Sequence, residues 1–222
     1  MSPVADRALL VEFGDAVDEA VHDRVRALDS ALRAAAVPGV LEIVPAMVNL
    51  LIVFDPVATD HAAVSHSVRP LLDGLSHTGN PVALHEIPVC YDGDYGRDLA
   101  AVSAQTGLDA EAVIAAHLAG DYSVYMYGFA PGYAYLSGVP EAIRLPRKSS
   151  PVRAIPAGSV IIAGGQCLVT TLTMPTGWWV IGRTSARVLT EDPARPFLFD
   201  VGDRVRFRRV AAEALDAMAG GR

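Results

Sequence analysis

A chain of 222 residues that is 51% apolar and 19% charged has enough hydrophobic material for one large or two small cores, and too little charge for disorder. Its net charge of −7 repels phosphate backbones, and its one dense basic run, Arg204–Arg209, alternates with Val205 and Phe207 like the wet face of a strand, so a nucleic-acid partner is excluded. No apolar run approaches the roughly 20 residues of a membrane span; the start MSPVADRALLVEF lacks the basic head and long apolar centre of a secretory leader, so the expectation is a cytoplasmic protein without membrane contact.

In chain order, Arg7–Phe13 predicts a strand closed by Gly14-Asp15. Val17, Val21, Val25, Leu28 and Leu32 follow at spacings of 4, 4, 3 and 4, which is one stripe of a helix. Pro38-Gly39 ends it. Strand patterns cover Val40–Val44 and Asn49–Phe54, and a second helix covers Asp60–Leu75, with Pro70 expected to kink it or to mark a second start. Val82–Val89 is a further strand. The order strand–helix–strand–strand–helix–strand is that of a ferredoxin-like α+β unit. His77–Pro81 (HTGNP) reads as a hinge, so the expected domains are 1–80 and 81–222, with the last strand free to cross between them.

The second domain begins with two short helices, near Asp98–Gln105 and after Asp109, whose carboxylate suits a cap. From Tyr122 the pattern turns β, with runs at Tyr122–Gly128, Gly158–Ala163, Cys167–Thr173, Trp178–Ile181, Ala186–Leu189 and Asp203–Arg209. No helices separate these runs, so they predict a closed or partly closed barrel rather than a parallel βαβ array. Ala211–Met218 is a short terminal helix.

The chemistry concentrates in that half. After Tyr122–Tyr127 the alternation gives way to Gly-Phe-Ala-Pro-Gly-Tyr-Ala-Tyr-Leu, from Gly128 to Leu136. Glycines permit backbone angles closed to other residues and Pro131 fixes one beside them, so the loop reads either as a wall for a small flat ligand or as a buried aromatic corner. Ile155–Gln166 places the Gln166 amide after Gly164-Gly165, and Trp178–Thr184 presents Arg183 and Thr184 after Gly182. A planar amide and a planar guanidinium suit a carboxylate, an amide or a small heterocycle; equally, Gln166 satisfies loop backbone groups and Arg183 pairs with Asp200 or Asp203. Arg147, Lys148 and Arg153 receive an anion or form a solvated loop. His117 serves as a general base or faces solvent, and Ser159 and Cys167 are nucleophiles only with a base beside them. Cys90 and Cys167 sit in apolar runs and read as reduced packing residues rather than a disulfide. No phosphate loop, no Gly-x-Ser-x-Gly elbow and no metal-ligand spacing among the six histidines is present. The expectation is no metal, and a binding scaffold whose site is completed by a partner.

The motifs ADRALLVEFGD, YMYGFAPGYAYL, IPAGSVIIAGGQ, GWWVIGRT and VGDRVRF together resemble the family of the 5-oxoprolinase B subunit, also called allophanate hydrolase subunit 1, which includes a sporulation-kinase inhibitor. The resemblance runs nearly end to end. It implies a ferredoxin-like N-terminal domain followed by a cyclophilin-like β-barrel. It also implies a larger cyclophilin-like partner (the 5-oxoprolinase C subunit, or allophanate hydrolase subunit 2) and a third component, the A subunit. ATP hydrolysis would drive the opening of 5-oxoproline to glutamate in that complex, with ATP not bound by this chain alone. Allophanate or carboxyltransferase chemistry and inhibition of a histidine kinase are the alternatives. By position, the implied substrate-binding residues are Gly128, Phe129, Pro131, Gly132, Tyr135, Pro156, Gly158, Ser159, Gln166 and Arg183, with catalytic residues unassigned. The family commonly reads Thr-Gly-Ile-Tyr-Pro after the glutamine and Glu-Ser-Pro-Gly-Gly-Trp further on. Here Cys167–Thr171 and Thr173–Trp178 stand in those places, which leaves the fold intact and the substrate open.

Overall fold

The computed structural model describes residues 1–75 and 82–220, so the hinge expected at His77–Pro81 lies outside the described residues. The chain divides into two units, Met1–Val82 and Ala83–Arg222.

The first unit runs β1 (Ser2–Val4), β2 (Ala8–Glu12), α1 (Glu19–Ala35), β3 (Val40–Pro45), β4 (Asn49–Phe54) and α2 (His61–Asp73). Its strands form one antiparallel sheet in the order β1-β2-β4-β3. The period of two places Leu9 and Val11 of β2 on one face with Leu50, Ile52 and Phe54 of β4. Val25, Leu28 and Leu32 of α1 and Val64 and Val68 of α2 pack onto that face. Both helices start on an aspartate. Asp18 accepts from the Ala20 and Val21 amides, and Asp60 from the Ala63 amide. The buried stripe of α1 begins later than its spacing suggests: Val17 precedes the cap and is exposed, and His22 takes a buried place. Pro70 sits inside α2 without splitting it.

The strand expected to close this sheet, Val82–Val89, does not join it. As β5 (Leu84–Val89) it pairs in parallel with β13 (Arg204–Arg209) in the second unit, and the hairpin strand β1 occupies the edge beside β2.

The second unit continues with α3 (Leu99–Thr106), α4 (Ala110–Leu118), β6 (Tyr122–Tyr127), β7 (Ala134–Ser137), β8 (Val152–Ile155), β9 (Ser159–Ala163), β10 (Gln166–Val169), β11 (Met174–Thr176) and β12 (Trp179–Arg183), then β13 and α5 (Ala212–Gly220). Seven strands form one sheet in the order β12-β9-β10-β7-β6-β13-β5. A bridge between Cys90, just past β5, and Arg183, the end of β12, nearly closes it into a barrel. Val124, Leu136, Val160, Ile162, Cys167, Ile181 and Phe207 face inward and meet Val102 of α3 and Val113 of α4. The intervening residues Ile161, Leu168 and Val180 face outward, where Ile155, Val152 and Met174 of the small β8–β11 ribbon cover them together with Trp178. Three of these strands, β7, β8 and β11, were not expected. The strand expected at Ala186–Leu189 is reduced to one bridge from Leu189 to Phe197.

Candidate functional site at the barrel mouth

Four connections converge at one end of the barrel: the loop from β6 to β7, the turn before β9, the residues after β10, and the segment after β12. The last three line a cavity of about 390 Å³, through Ala157, Gly158, Thr170, Thr171 and Thr184 to Glu191, and the β6–β7 loop is bonded to its rim. Hydroxyl-to-carbonyl bonds lace its rim. Thr171 Oγ1 donates to the Pro131 carbonyl at 2.6 Å. The Pro156 carbonyl accepts from both Ser159 Oγ and Thr170 Oγ1 at 2.8 Å. The Gly158 amide donates to Thr170 O, and the Thr184 amide to Gly158 O.

Two glycines make this convergence possible. Gly158 has φ +81°, and a Cβ there would lie 2.5 Å from the Thr184 carbonyl oxygen. Gly132 has φ +75°, and its Cβ would lie 2.9 Å from Thr171 Cγ2. Both combine the left-handed region with a close approach, which only glycine tolerates.

Not every rim hydroxyl is spent. Thr184 Oγ1 accepts from the Ala186 amide, and its proton is uncommitted among the described residues. Ser185 Oγ is buried against the same cavity without a hydrogen-bond partner among them. Two adjacent free hydroxyls beside exposed Arg187 and Glu191 form a polar cavity suited to a carbonyl or carboxylate acceptor. Thr170, Thr171 and Ser185 were not among the expected site residues. The only local signal for Ser185 is its place directly after the Gly-Arg-Thr ending.

The residues singled out from the sequence separate into groups. Gly158 lines the mouth, with Pro156 and Ser159 beneath its turn and Pro131 and Gly132 across from it. Gly128 starts the connecting loop. Phe129 and Tyr135 point away, into a second cleft on the barrel's outer face. Gln166 opens β10 opposite Ala163 and Ser137, whereas Arg183 ends β12 opposite Ser159. They are therefore offset by about 13 Å along β9 and lie on strands that flank it on opposite sides. Neither Arg183 nor Gln166 lines the mouth cavity or the cleft on the outer face. Arg183 pairs with neither Asp200 nor Asp203; its guanidinium lies 6.0 Å from the Tyr95 ring centroid at the barrel seam. Asp203 instead accepts from His85 Nε2 at 2.8 Å and from the Ala83 and Asp200 amides.

His117 is likewise not a solvent-facing base. It is fully buried inside the barrel, with Nδ1 2.8 Å from the Tyr91 hydroxyl, Nε2 3.7 Å from Cys167 Sγ, and its ring 4.5 Å from that of Phe207. Burial pulls its pKa down to about 3 and pushes the Cys167 thiol up. Cys167 thus has the neighbouring imidazole that its sequence context did not reveal, but burial drives the two titrations apart, the opposite of a thiolate–imidazolium pair. Ser159 is also no nucleophile, since its hydroxyl donates to a backbone carbonyl. Among the described residues no cluster of His, Cys, Asp or Glu is arranged to hold a metal, and no helix is long and apolar enough to cross a membrane.

A family model for the carboxyltransferase domain, subdomains C and D, matches residues 1–199. The chain belongs to this family. It is 35% identical to the 5-oxoprolinase B subunit of Bacillus subtilis (strain 168) over 219 residues, 94% of this chain and 91% of the relative. Among solved structures it superposes on TTHA0988 with a TM-score of 0.81 at 38% identity, over 93% of this chain but only 40% of that one. The urea amidolyase of K. lactis shares the fold at 16% identity, with a TM-score of 0.76 over 95% of this chain and 15% of the amidolyase. The chain's relatives therefore include a hydrolase component, and the same fold recurs inside a much longer enzyme.

Proposed function

We propose that the chain is the B subunit of an ATP-dependent amide hydrolase that opens 5-oxoproline to glutamate, acting with a larger partner and a third component. The observation that carries this reading is the match over nine-tenths of both chains to a protein named as the B subunit of 5-oxoprolinase. The mouth supports it. Its described residues hold no activated nucleophile, so the remaining groups come from a partner and the isolated chain is inactive. ATP is handled in the assembled complex, in keeping with a sequence that has no phosphate loop of its own. On the same reading the barrel is cyclophilin-like. The first unit is a ferredoxin-like sheet in which β1 replaces the usual closing strand, and the protein works in the cytoplasm.

The test is ATP hydrolysis by the chain co-purified with the other candidate subunits, with and without 5-oxoproline. Stimulation by 5-oxoproline that disappears when this chain is omitted is the expected result. Stable co-purification without stimulation would overturn the substrate.

A further inference from the structure

The outer face of the barrel carries a cleft of about 120 Å³ that the mouth does not use. Its floor is Ile161 of β9 and Leu168 of β10, and Tyr133, Tyr135 and Trp178 wall it. Thr176 and Gly177, at the end of the β8–β11 ribbon, form one lip. Phe129, 78% exposed and held at φ 71°, forms the other. Tyr135 meets Trp178 edge-on at 5.9 Å, and Phe129 lies 5.8 Å from Tyr133. Arg147 stands at the opening with its guanidinium carbon 5.6 Å from the Trp178 ring centroid.

The two neighbouring cations contrast. Lys148 is half-buried and bound to the Asp98 carboxylate. Arg147 is exposed, and among the described residues it has no acidic partner. Stacking on an indole occupies a guanidinium's face and leaves its edge donors free, and those donors match a carboxylate two to two. The Tyr133 and Tyr135 hydroxyls make no hydrogen bond to a described residue, and burial raises both phenols above their ordinary pKa, so they remain protonated donors. The size is that of one small ring, since a cavity of about 150 Å³ holds benzene.

We propose that this cleft binds a small planar ring carrying a carboxylate, the ring packed between Tyr133, Tyr135 and Trp178 and the carboxylate on the edge of Arg147. Naming 5-oxoproline, a five-membered lactam carboxylate, as that ligand rests on the function proposed above; the ring-carboxylate chemistry stands without it. Phe129 and Tyr135 then hold the substrate's ring on the barrel's flank, and the polar mouth takes a different group.

The experiment uses the purified chain carrying Trp179→Phe, which leaves Trp178 as the sole indole reporter of the two tryptophans. Its fluorescence is titrated with 5-oxoproline, with 2-furoate as an unrelated ring carboxylate, and with 2-pyrrolidinone, which keeps the lactam and lacks the acid. Saturable binding of at least one ring carboxylate is expected, at least tenfold tighter than 2-pyrrolidinone. Arg147→Ala should weaken it at least tenfold and Arg147→Lys by less. No saturable change with either acid, or equal binding by Arg147→Ala, overturns the cleft. In the assembled complex, Arg147→Ala should raise KM for 5-oxoproline at least tenfold with kcat within about twofold. An unchanged KM in an active complex overturns 5-oxoproline as the cleft's ligand and leaves the function standing. Arg147-dependent binding of 2-furoate with no activity on 5-oxoproline supports the cleft and overturns the function.

Discussion

His117 Nδ1 and the Tyr91 hydroxyl lie 2.8 Å apart inside the barrel, where both residues are buried. The ring is neutral there: its pKa falls from 6.5 to about 3 because burial penalises the charged form. Between those values the unfolded chain binds a proton that the folded chain refuses. Stability contributed by this group is complete above pH 6.5 and is lost as pH falls toward 3, by about 1.4 kcal/mol per pH unit. His117→Phe leaves the Tyr91 hydroxyl buried without its partner and should cost about 1–3 kcal/mol at pH 7. Urea unfolding of both proteins from pH 7 to 4 should show that gap closing as the solution is acidified. A gap that stays constant would mean that the ring takes up its proton in the fold as it does in the unfolded chain.

The same burial decides thiol reactivity. Cys90 and Cys167 are both free and fully buried, and burial raises the pKa of each. The thiolate is the reactive form, so a thiol-specific chromogenic reagent at pH 8 should label neither cysteine in the native protein within minutes and both in denaturant. Fast native labelling of Cys167 would show that the His117 imidazole activates it after all.

Much of the fold is legible in the chain, and the illegible parts share a cause. The apolar run Asn49–Phe54, bounded by Asp55-Pro56, and the aspartate cap at 109 act locally, and each appears where its pattern places it. The strands β7, β8 and β11 are three or four residues long and sit among glycine and proline. They exist only because a distant partner supplies the ladder, as Ala134–Ser137 does by lying between β6 and β10. Leu84–Val89 reads as a strand, but nothing in it says which sheet receives it; its parallel partner lies more than a hundred residues onward. The mouth glycines were legible because positive φ demands them. The separation of Gln166 from Arg183 was not, since it follows from the direction of β9. Arg147 and Trp178 meet across the ribbon, a contact that spacing along the chain does not encode.

Gly158→Ala tests the mouth. The substitution places a Cβ in the left-handed region, at a cost of roughly 1–2 kcal/mol, and against the Thr184 carbonyl at 2.5 Å, which forces the two strands' ends apart. The expected outcome is a drop in melting temperature of several degrees and loss of activity in the assembled complex. Gly164→Ala supplies the comparison. It has φ +55° but no atom within 4 Å of its would-be Cβ, so it should carry the backbone cost alone and keep activity. Equal effects of the two variants would show that the close approach at Gly158 is unimportant.

Beside the backbone bond from the Asp98 amide to the Val180 carbonyl, the Asp98 carboxylate holds α3 to the barrel through two bonds: its Oδ2 accepts from Lys148 Nζ and, at 2.7 Å, from the buried Val180 amide. The two partners are unequal. Lys148→Met removes a cation whose Nζ also lies 5.2 Å from the Trp179 ring centroid, but it leaves the Val180 amide bonded to the carboxylate, so it should cost about 1–2 kcal/mol. Asp98→Ala strands a buried backbone donor and a half-buried cation together, and should cost about 2–3 kcal/mol. The double variant should be no worse than Asp98→Ala, because once the carboxylate is gone the lysine has nothing to lose. Urea midpoints of the three variants decide it: a Lys148→Met cost equal to that of Asp98→Ala would make the ion pair, rather than the amide bond, the tie between helix and barrel.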